Sequence, residues 1–447
     1  MGDSTALPAD ARHMVATARA DVARPYASRF LRIEPERGIF QVSRRVFTDD
    51  AVFREEWDKI LLKSWTLLGM GSEIPRPNDF LLRQVLDRQI IFSRDREGAV
   101  HALVNACSHR GALVCREKSG TRKTFTCPYH GWVYRNSGEL LHTGDGYPQG
   151  FNGDHRYDLR RAPRLESYRD FHFIAFEPDV PPLSEYLGEA RTFLDNFALQ
   201  SERGLAAISG CFDYAVRCNY KLYVENHIDG FHVEVTHSSF LRYYMDALLG
   251  NAERDIGGLQ QTAANGHTMA FNSLNIGRTV ARPLPGWSAD LCAAVAEKRK
   301  ELERRLDPER ARFIADNAQA LVVFPNTVFV DNSSLTMRFV IPVSHNRTIL
   351  RTWMLGPADE EPLLRQARIK YGLGFLGPAG MGTQDDIEVM EIAQTGYEMT
   401  RDEWNDVSRY FDPGTDPMSG QAPQDGELGL RNYWLQYDAL MGGDRCR

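Results

Sequence analysis

Two short boxes constrain this chain more than anything else in it: Cys107-Ser-His109-Arg-Gly and Cys127-Pro-Tyr-His130-Gly-Trp, with 17 residues between His109 and Cys127. Each box offers one thiolate and one imidazole. A metal shared by both would see two sulfur and two nitrogen donors, so the intervening chain has to fold back on itself. A structural Cys2His2 zinc site uses the same donors. Such sites pair Cys with Cys and His with His, however, whereas each box here is mixed.

The mixed set is what a Rieske-type [2Fe–2S] cluster requires, with Cys107 and Cys127 on one iron and His109 and His130 on the other. Two neutral imidazoles in place of two thiolates leave the cluster less negative, so it takes up an electron more readily than an all-cysteine cluster. From Trp65 to about residue 179 the texture is β-rich, with short apolar runs broken by turn signals such as Asp95-Arg-Glu-Gly98 and Asn136-Ser-Gly138. That pattern places both boxes at the tips of β-hairpins. Residues 1–62 read as mostly helical, including an amphipathic stretch at 50–62. Beyond residue 180 the character is mixed: a charged amphipathic helix over 291–306, an antiparallel strand series at 321–330, 335–343 and 348–355, and a helix over 386–399.

At 447 residues the chain is too long for a lone cluster module and suggests two or three domains. A net charge of −7 argues against nucleic acid as the main partner. No stretch approaches the ~18 apolar residues of a membrane span. The N-terminus has no basic-then-apolar signal, and Cys115, Cys211, Cys218, Cys292 and Cys446 show no framework spacing. A cytoplasmic protein with reduced thiols is expected, with no membrane partner.

A second constellation lies in Glu225-Asn-His-Ile-Asp229-Gly-Phe-His232 and His237. His232 and His237 are five apart, roughly 140° on an ideal helix, so both reach one metal only if the helix bends or ends between them. Two histidines and a distant carboxylate make the facial triad of mononuclear non-haem Fe(II), which leaves positions open for O2 and water. A one-electron donor already in the chain needs such an acceptor.

The two boxes, the stretch from Asn219 to His237, and the later Phe375-Leu-Gly-Pro-Ala-Gly-Met-Gly-Thr-Gln-Asp-Asp386 segment resemble the large (alpha, catalytic) subunit of Rieske non-haem iron aromatic-ring-hydroxylating oxygenases. The resemblance runs from about Trp65 to at least residue 400. It implies an α+β fold in which an all-β Rieske domain, 63–179, is inserted in a catalytic domain of 1–62 and 180–447. In that domain an antiparallel sheet and helices surround the mononuclear iron. It implies that His232, His237 and Asp386 bind this iron. Asp386 is chosen by the register of the upstream Gly-Pro-Ala-Gly, with Asp385, Glu388 and Glu391 as alternatives. It also implies that Asp229 is not a ligand but hydrogen-bonds His232 and, across a subunit boundary, His130 of a neighbouring chain, orienting the ring and shortening an electron path.

By the same resemblance Asn226, Leu241 and Leu376 lie in the substrate pocket, and small or aliphatic Leu376 and Gly382 widen it. Phe231 and Phe240 are expected in the core. The implied activity uses O2 to hydroxylate an aromatic ring, by cis-dihydroxylation of an aromatic compound or aromatic acid. A same-fold monooxygenase or demethylase, or an electron carrier alone, would present the same cluster ligands. The G-x-G-x-x-G of residues 372–377 follows charged, helical sequence and precedes Pro378, so it does not read as a dinucleotide site; its glycines are expected to shape the loop leading to Asp386. Electrons must then come from a separate NAD(P)H-linked reductase or ferredoxin. The resemblance further implies an α3 or α3β3 oligomer, the latter with a small beta subunit.

Overall fold

The structure, a computed structural model, describes residues 26–148, 150–208, 210–244, 257–280, 282–419 and 422–442. Residues 1–25, part of the stretch expected to be helical, and Cys446 lie outside the described residues. The chain divides into two compact units, Leu61–Leu183 and Met1–Ile60 with Ser184–Arg447.

Leu61–Leu183 is built from three antiparallel sheets. The largest runs in the order Val100–Val104, Arg88–Arg94, Asp79–Val85, Ser119–Thr121. Its first hairpin turns at Asp95-Arg-Glu-Gly98, where Gly98 N donates to Asp95 O. The second sheet, Leu140–His142, Val133–Arg135 and Thr124–Thr126, carries the second box at the tip of a hairpin, as expected. The first box does not sit on a hairpin. It follows Val100–Val104, and the next strand, Ser119–Thr121, pairs at the opposite edge of the sheet. The connection is a long loop tied by buried Asn105, whose Oδ1 accepts from Val114 N and Cys115 N while its Nδ2 donates to Cys115 O. One side chain satisfying three backbone groups replaces a strand partner.

The other unit is organised by a nine-stranded antiparallel sheet in the order Leu205–Ala207, Arg347–Pro357, Leu335–Ser344, Thr327–Asp331, Ala318–Val323, Thr268–Asn272, Gly258–Thr262, Ala422–Pro423, with Phe212–Val216 also pairing to Arg347–Pro357. Thr327–Asp331 is buried along its whole length, and Leu335–Ser344 along all but its end. Such strands lack polar alternation because both faces are covered. The helix Leu428–Met441 packs on Gly258–Thr262 and Thr268–Asn272, Tyr220–Asn226 on Leu335–Ser344, and Pro362–Leu376 on Arg347–Pro357.

Three expectations need correction here. The run 321–330 is two strands, because Pro325 has no N–H to continue a ladder and the chain turns there. Residues 26–43 are mainly strand, broken by one 3-10 turn at Pro35–Arg37: Leu31–Glu34 alternates buried and more exposed with period two and pairs with Ile39–Ser43. Of the glycines of 372–377 only Gly377 lies in the turn leading to the Asp386 helix, since Pro362–Leu376 is helical through Gly372 and Gly374. Gly372 instead permits close packing, for a Cβ there would lie 2.6 Å from Met354 Sδ.

The helix Tyr220–Asn226 is locked by a fully buried ion pair. Lys221 Nζ donates to both oxygens of Glu56 (2.7 and 2.8 Å), and the Tyr437 hydroxyl donates to the same carboxylate. Burial pulls the Lys221 pKa down against the pull of Glu56. Removing one partner strands the other charge, so Lys221→Met is expected to destabilise the protein by about 3–5 kcal/mol, measured as a drop in the urea midpoint.

Candidate functional site

The two boxes fold into loops with the same hydrogen bonding. Cys107 N donates to Ala112 O (2.8 Å) and Gly111 N to Cys107 O (2.8 Å); Cys127 N donates to Trp132 O (2.7 Å) and Gly131 N to Cys127 O (3.1 Å). Each turn closes through a glycine at positive φ, +73° at Gly111 and +75° at Gly131. That conformation costs a residue with a Cβ roughly 1–2 kcal/mol. The loops bury both sulfurs in the core beside Phe80, Phe125 and Trp132, leave His109 half-buried and expose His130. The two imidazole centres are 4.5 Å apart, and His109 stacks on Trp132 at 4.9 Å.

The electrostatics suit a cationic occupant. Burial raises the Cys107 pKa, the Tyr134 hydrogen bond opposes that, and neighbouring Cys127 adds to the rise. The buried Cys107 thiol therefore favours a cation beside it before it ionises. Burial lowers the His109 pKa, helped by His130 and Arg110, which keeps the ring in its neutral, metal-binding form. Its Nδ1 is buried and makes no hydrogen bond among the described residues. The Tyr134 hydroxyl accepts from Ser108 N (3.1 Å) and sits 3.2 Å from Cys107 Sγ, so its proton is directed at the sulfur.

In the larger unit the second constellation forms around a helix break. Tyr220–Asn226 ends at His227, and the chain resumes as a short helix, Val233–Thr236, with His232 at its N-cap and His237 at its C-cap. His237 leaves helical geometry (φ −95°, ψ 22°), which is the break the five-residue spacing demands. The intervening turn is pinned where Gly230 N donates to Gln424 O, and a Cβ on Gly230 would lie 2.5 Å from that same oxygen. Asp386 arrives on the helix Met381–Met399, which is fastened by Glu391 to Arg217 and by Gln394 Oε1, accepting from Asn219 N (2.9 Å).

Asp386 Oδ1 lies 3.4 Å from His232 Nε2 and 3.1 Å from His237 Nε2, and one donor atom from each of the three residues falls within 4.8 Å of the others. Metal bonds of about 2.1 Å place adjacent ligands about 3 Å apart, so this spacing fits one first-row ion. Asn226 Nδ2 donates to the same carboxylate oxygen (3.1 Å). Burial works to raise the Asp386 pKa, but hydrogen bonds and charge from His232 and His237 hold it well below the usual carboxylate range. Burial opposes a charge on His232, and Asp386 followed by Asp229 outweighs it, raising that pKa.

The alternatives to Asp386 go elsewhere. Asp385 Oδ2 stands 3.5 Å from His237 Nδ1, on the far nitrogen of the ring. Glu391 is engaged by Arg217, and Glu388 shares that surface groove. Asp229 does not make the expected hydrogen bond: its Oδ2 is 3.8 Å from His232 Nδ1, while its Oδ1 accepts from Phe231 N (2.8 Å).

A cleft of about 860 Å3, counted out to its mouth, opens on the three converging side chains and is lined by Asn226, Leu241 and Leu376 among others. Gly382 does not widen it, since the Phe375 ring fills the space its Cβ would take. Phe240 is buried and also faces the cleft. Phe231 is 52% exposed, contrary to expectation, beneath the Arg409 guanidinium at 3.9 Å.

The chain matches the Rieske [2Fe-2S] domain over residues 64–148 and the ring hydroxylating alpha subunit (catalytic domain) over residues 205–442. It belongs to the Rieske ring-hydroxylating alpha-subunit family. It is 34% identical over 416 residues to the 2-halobenzoate 1,2-dioxygenase large subunit of Burkholderia cepacia, covering 89% of this chain and 85% of that one. Against toluate 1,2-dioxygenase subunit alpha of Pseudomonas putida it is 32% identical over 388 residues, covering 86% and 84%. Its fold matches naphthalene 1,2-dioxygenase from Rhodococcus sp. with a TM-score of 0.76 at 25% identity, over 90% of this chain and 94% of that one. The family member described here is thus an oxidoreductase of the aromatic-ring-hydroxylating dioxygenase class, with a [2Fe–2S] domain and a catalytic domain whose family uses mononuclear iron. Among the described residues no helix is long and apolar enough to cross a membrane.

Sequence reasoning missed two side chains in the cleft, His227 and Arg338. A lone charge inside the mostly apolar run Leu335-Thr-Met-Arg338-Phe-Val-Ile was the available signal. Gly230→Ala is expected to cost about 1–3 kcal/mol by forcing the backbone away from Gln424. Calorimetric melting would show that loss, and titration would show weaker Fe(II) uptake because the displaced turn carries His232.

Proposed function

We propose that this chain is the large, catalytic subunit of a terminal oxygenase that uses O2 and electrons from a separate NAD(P)H-linked partner to cis-dihydroxylate the ring of an aromatic acid. The observation that carries this is the convergence of His232, His237 and Asp386 on the wall of a largely apolar cleft. Three relatives support the substrate class, being named for 2-halobenzoate, toluate and anthranilate.

In this reading Cys107 and Cys127 hold one iron of the cluster, His109 and His130 the other, and His232, His237 and Asp386 hold the mononuclear iron. When bound, these groups supply single electrons and the activation of O2. The protein does the rest. Tyr134 donates to the Cys107 sulfur, an interaction that raises a cluster's reduction potential. Asn226 fixes Asp386, and Phe240, Leu241 and Leu376 present apolar surface to a ring while limiting water. Asp229 is a positioning residue, near enough to His232 Nδ1 to orient the ring and offer a polar bridge toward His130 of a neighbouring chain.

Electrons enter from a reductase, directly or through a ferredoxin. Neighbouring chains form an α3 or α3β3 ring, the latter with a small beta subunit. The protein works in the cytoplasm, where buried thiols such as Cys115 and Cys218 stay reduced.

Anaerobically purified protein is expected to hold about three irons and two acid-labile sulfides per chain. Asp386→Ala should reduce the iron to about two with an unchanged cluster spectrum; full iron retention would remove Asp386 from the site. Asp229→Asn should keep both metal contents yet lose turnover about 100-fold or more. Turnover is read as incorporation of both atoms of 18O2 into product, and near-normal rates would end the bridging role.

A further inference from the structure

The cleft contains a fixed cation that the iron-binding arrangement does not use. Arg338 projects from the strand Leu335–Ser344, is 4% exposed, and lines the same cleft as His232, His237 and Asp386. Its Nη1 donates to the Tyr223 hydroxyl (2.8 Å) and to His227 Nε2, and its Nε donates to Thr336 Oγ1 (3.2 Å). His227 Nδ1 is itself 2.7 Å from Tyr223 O, so it carries the ring proton and leaves Nε2 as the acceptor. All three acceptors are neutral. Among the described residues no carboxylate pairs with Arg338, and no hydrogen bond engages its Nη2.

Two other buried arginines in this unit are paired with a carboxylate, Arg278 with Asp331 at 2.7 Å and Arg368 with Glu360 at 2.7 Å, while Arg431, also bonded to neutral acceptors, feels the charge of Glu427. A guanidinium withdrawn from water without a counter-ion is costly, and hydrogen bonds to neutral acceptors offset only part of that cost. Such an arrangement persists where an anion from outside completes it, and a guanidinium edge is shaped to take a carboxylate. The lining holds no second arginine or lysine, and Phe240, Leu241, Leu274, Ile276, Phe375 and Leu376 in it are apolar.

We propose that Arg338 is the specificity anchor for the substrate, its Nη2 donating to the carboxylate of an aromatic acid whose ring lies against the apolar side of the cleft beside His232, His237 and Asp386. His227, Tyr223 and Thr336 hold the guanidinium in place before substrate arrives, which lowers the entropy lost on binding. This deepens the ring-hydroxylation reading and rests on it for the identity of the cleft.

The test is calorimetric binding of benzoate and of the isosteric neutral benzamide to the full-length metal-loaded protein. The wild type should prefer benzoate by about 10- to 100-fold, the range of a charge-assisted contact made in a dry site. Arg338→Gln should lose that preference while benzamide affinity shifts less than about 3-fold, and Arg338→Lys should retain part of it. Equal affinity of the wild type for the two ligands, or equal loss of both in Arg338→Gln, would overturn the anchor. The wild-type comparison decides even if a variant fails to fold. A carboxylate preference without hydroxylation under reductant and O2 supports the anchor and defeats the hydroxylase reading. Hydroxylation of neutral rings with no carboxylate preference does the reverse.

Discussion

One carboxylate oxygen held between two imidazoles organises the larger unit. Asp386 Oδ1 takes contacts from His232, His237 and Asn226, the last 160 residues away in the chain. A buried carboxylate is tolerable only when positive or hydrogen-bonding groups surround it, so the helices that carry these groups cannot drift independently. Several otherwise unrelated features follow from that demand. The histidine helix breaks at His237, Gly230 lies against Gln424, and Gln394 ties the Asp386 helix to the N-cap of the histidine segment. The Lys221–Glu56 pair holds that same segment from its other side.

The smaller unit meets a similar demand by a different route. Its donors sit on two loops that repeat one pattern of backbone hydrogen bonds, each closed by a left-handed glycine, and the loops bury sulfur while exposing the His130 ring. Buried sulfurs sit in a low dielectric that strengthens the Tyr134 contact, and exposed imidazole leaves one edge of the site open to a redox partner. In both units backbone geometry and neutral side chains pre-organise the donor set, joined in the larger unit by the buried Lys221–Glu56 pair, whereas exposed pairs such as Arg217–Glu391 add little.

The cleft combines two chemistries that would conflict if they touched. The three-residue cluster concentrates negative charge on Asp386, whereas Arg338 stands on a different element with neutral partners. In the proposed reading, separation on a sheet and a helix lets a substrate satisfy the cation while its ring stays near His232, His237 and Asp386. His227 serves both sides: burial, with Arg338 beside it, lowers its pKa to about 3, so it remains a neutral acceptor rather than a second cation.

How much of this was legible beforehand depends on how local the determining physics is. Cys107, His109, Cys127 and His130 could be singled out as a candidate donor set because residue type and spacing are local facts, and the five-residue gap between His232 and His237 already required a helix break for both to face one point. Asp386 needed a resemblance, since nothing within its own turn distinguishes it from Asp385; only the direction in which the helix faces makes that choice. The strands of residues 26–43 and the loop after Val104 were misread because pairing across the chain and the capping by Asn105 outweigh local texture. Arg338 was invisible as a cleft cation because a sequence shows that a charge interrupts an apolar strand but not what its neighbours fail to neutralise. The sequence by itself determined the donor chemistry and the need for a broken helix, both set by residue type and spacing. Which carboxylate joins the histidines, and which cation shares their cleft, was decided only by tertiary structure, because both depend on side chains that approach through space rather than along the chain.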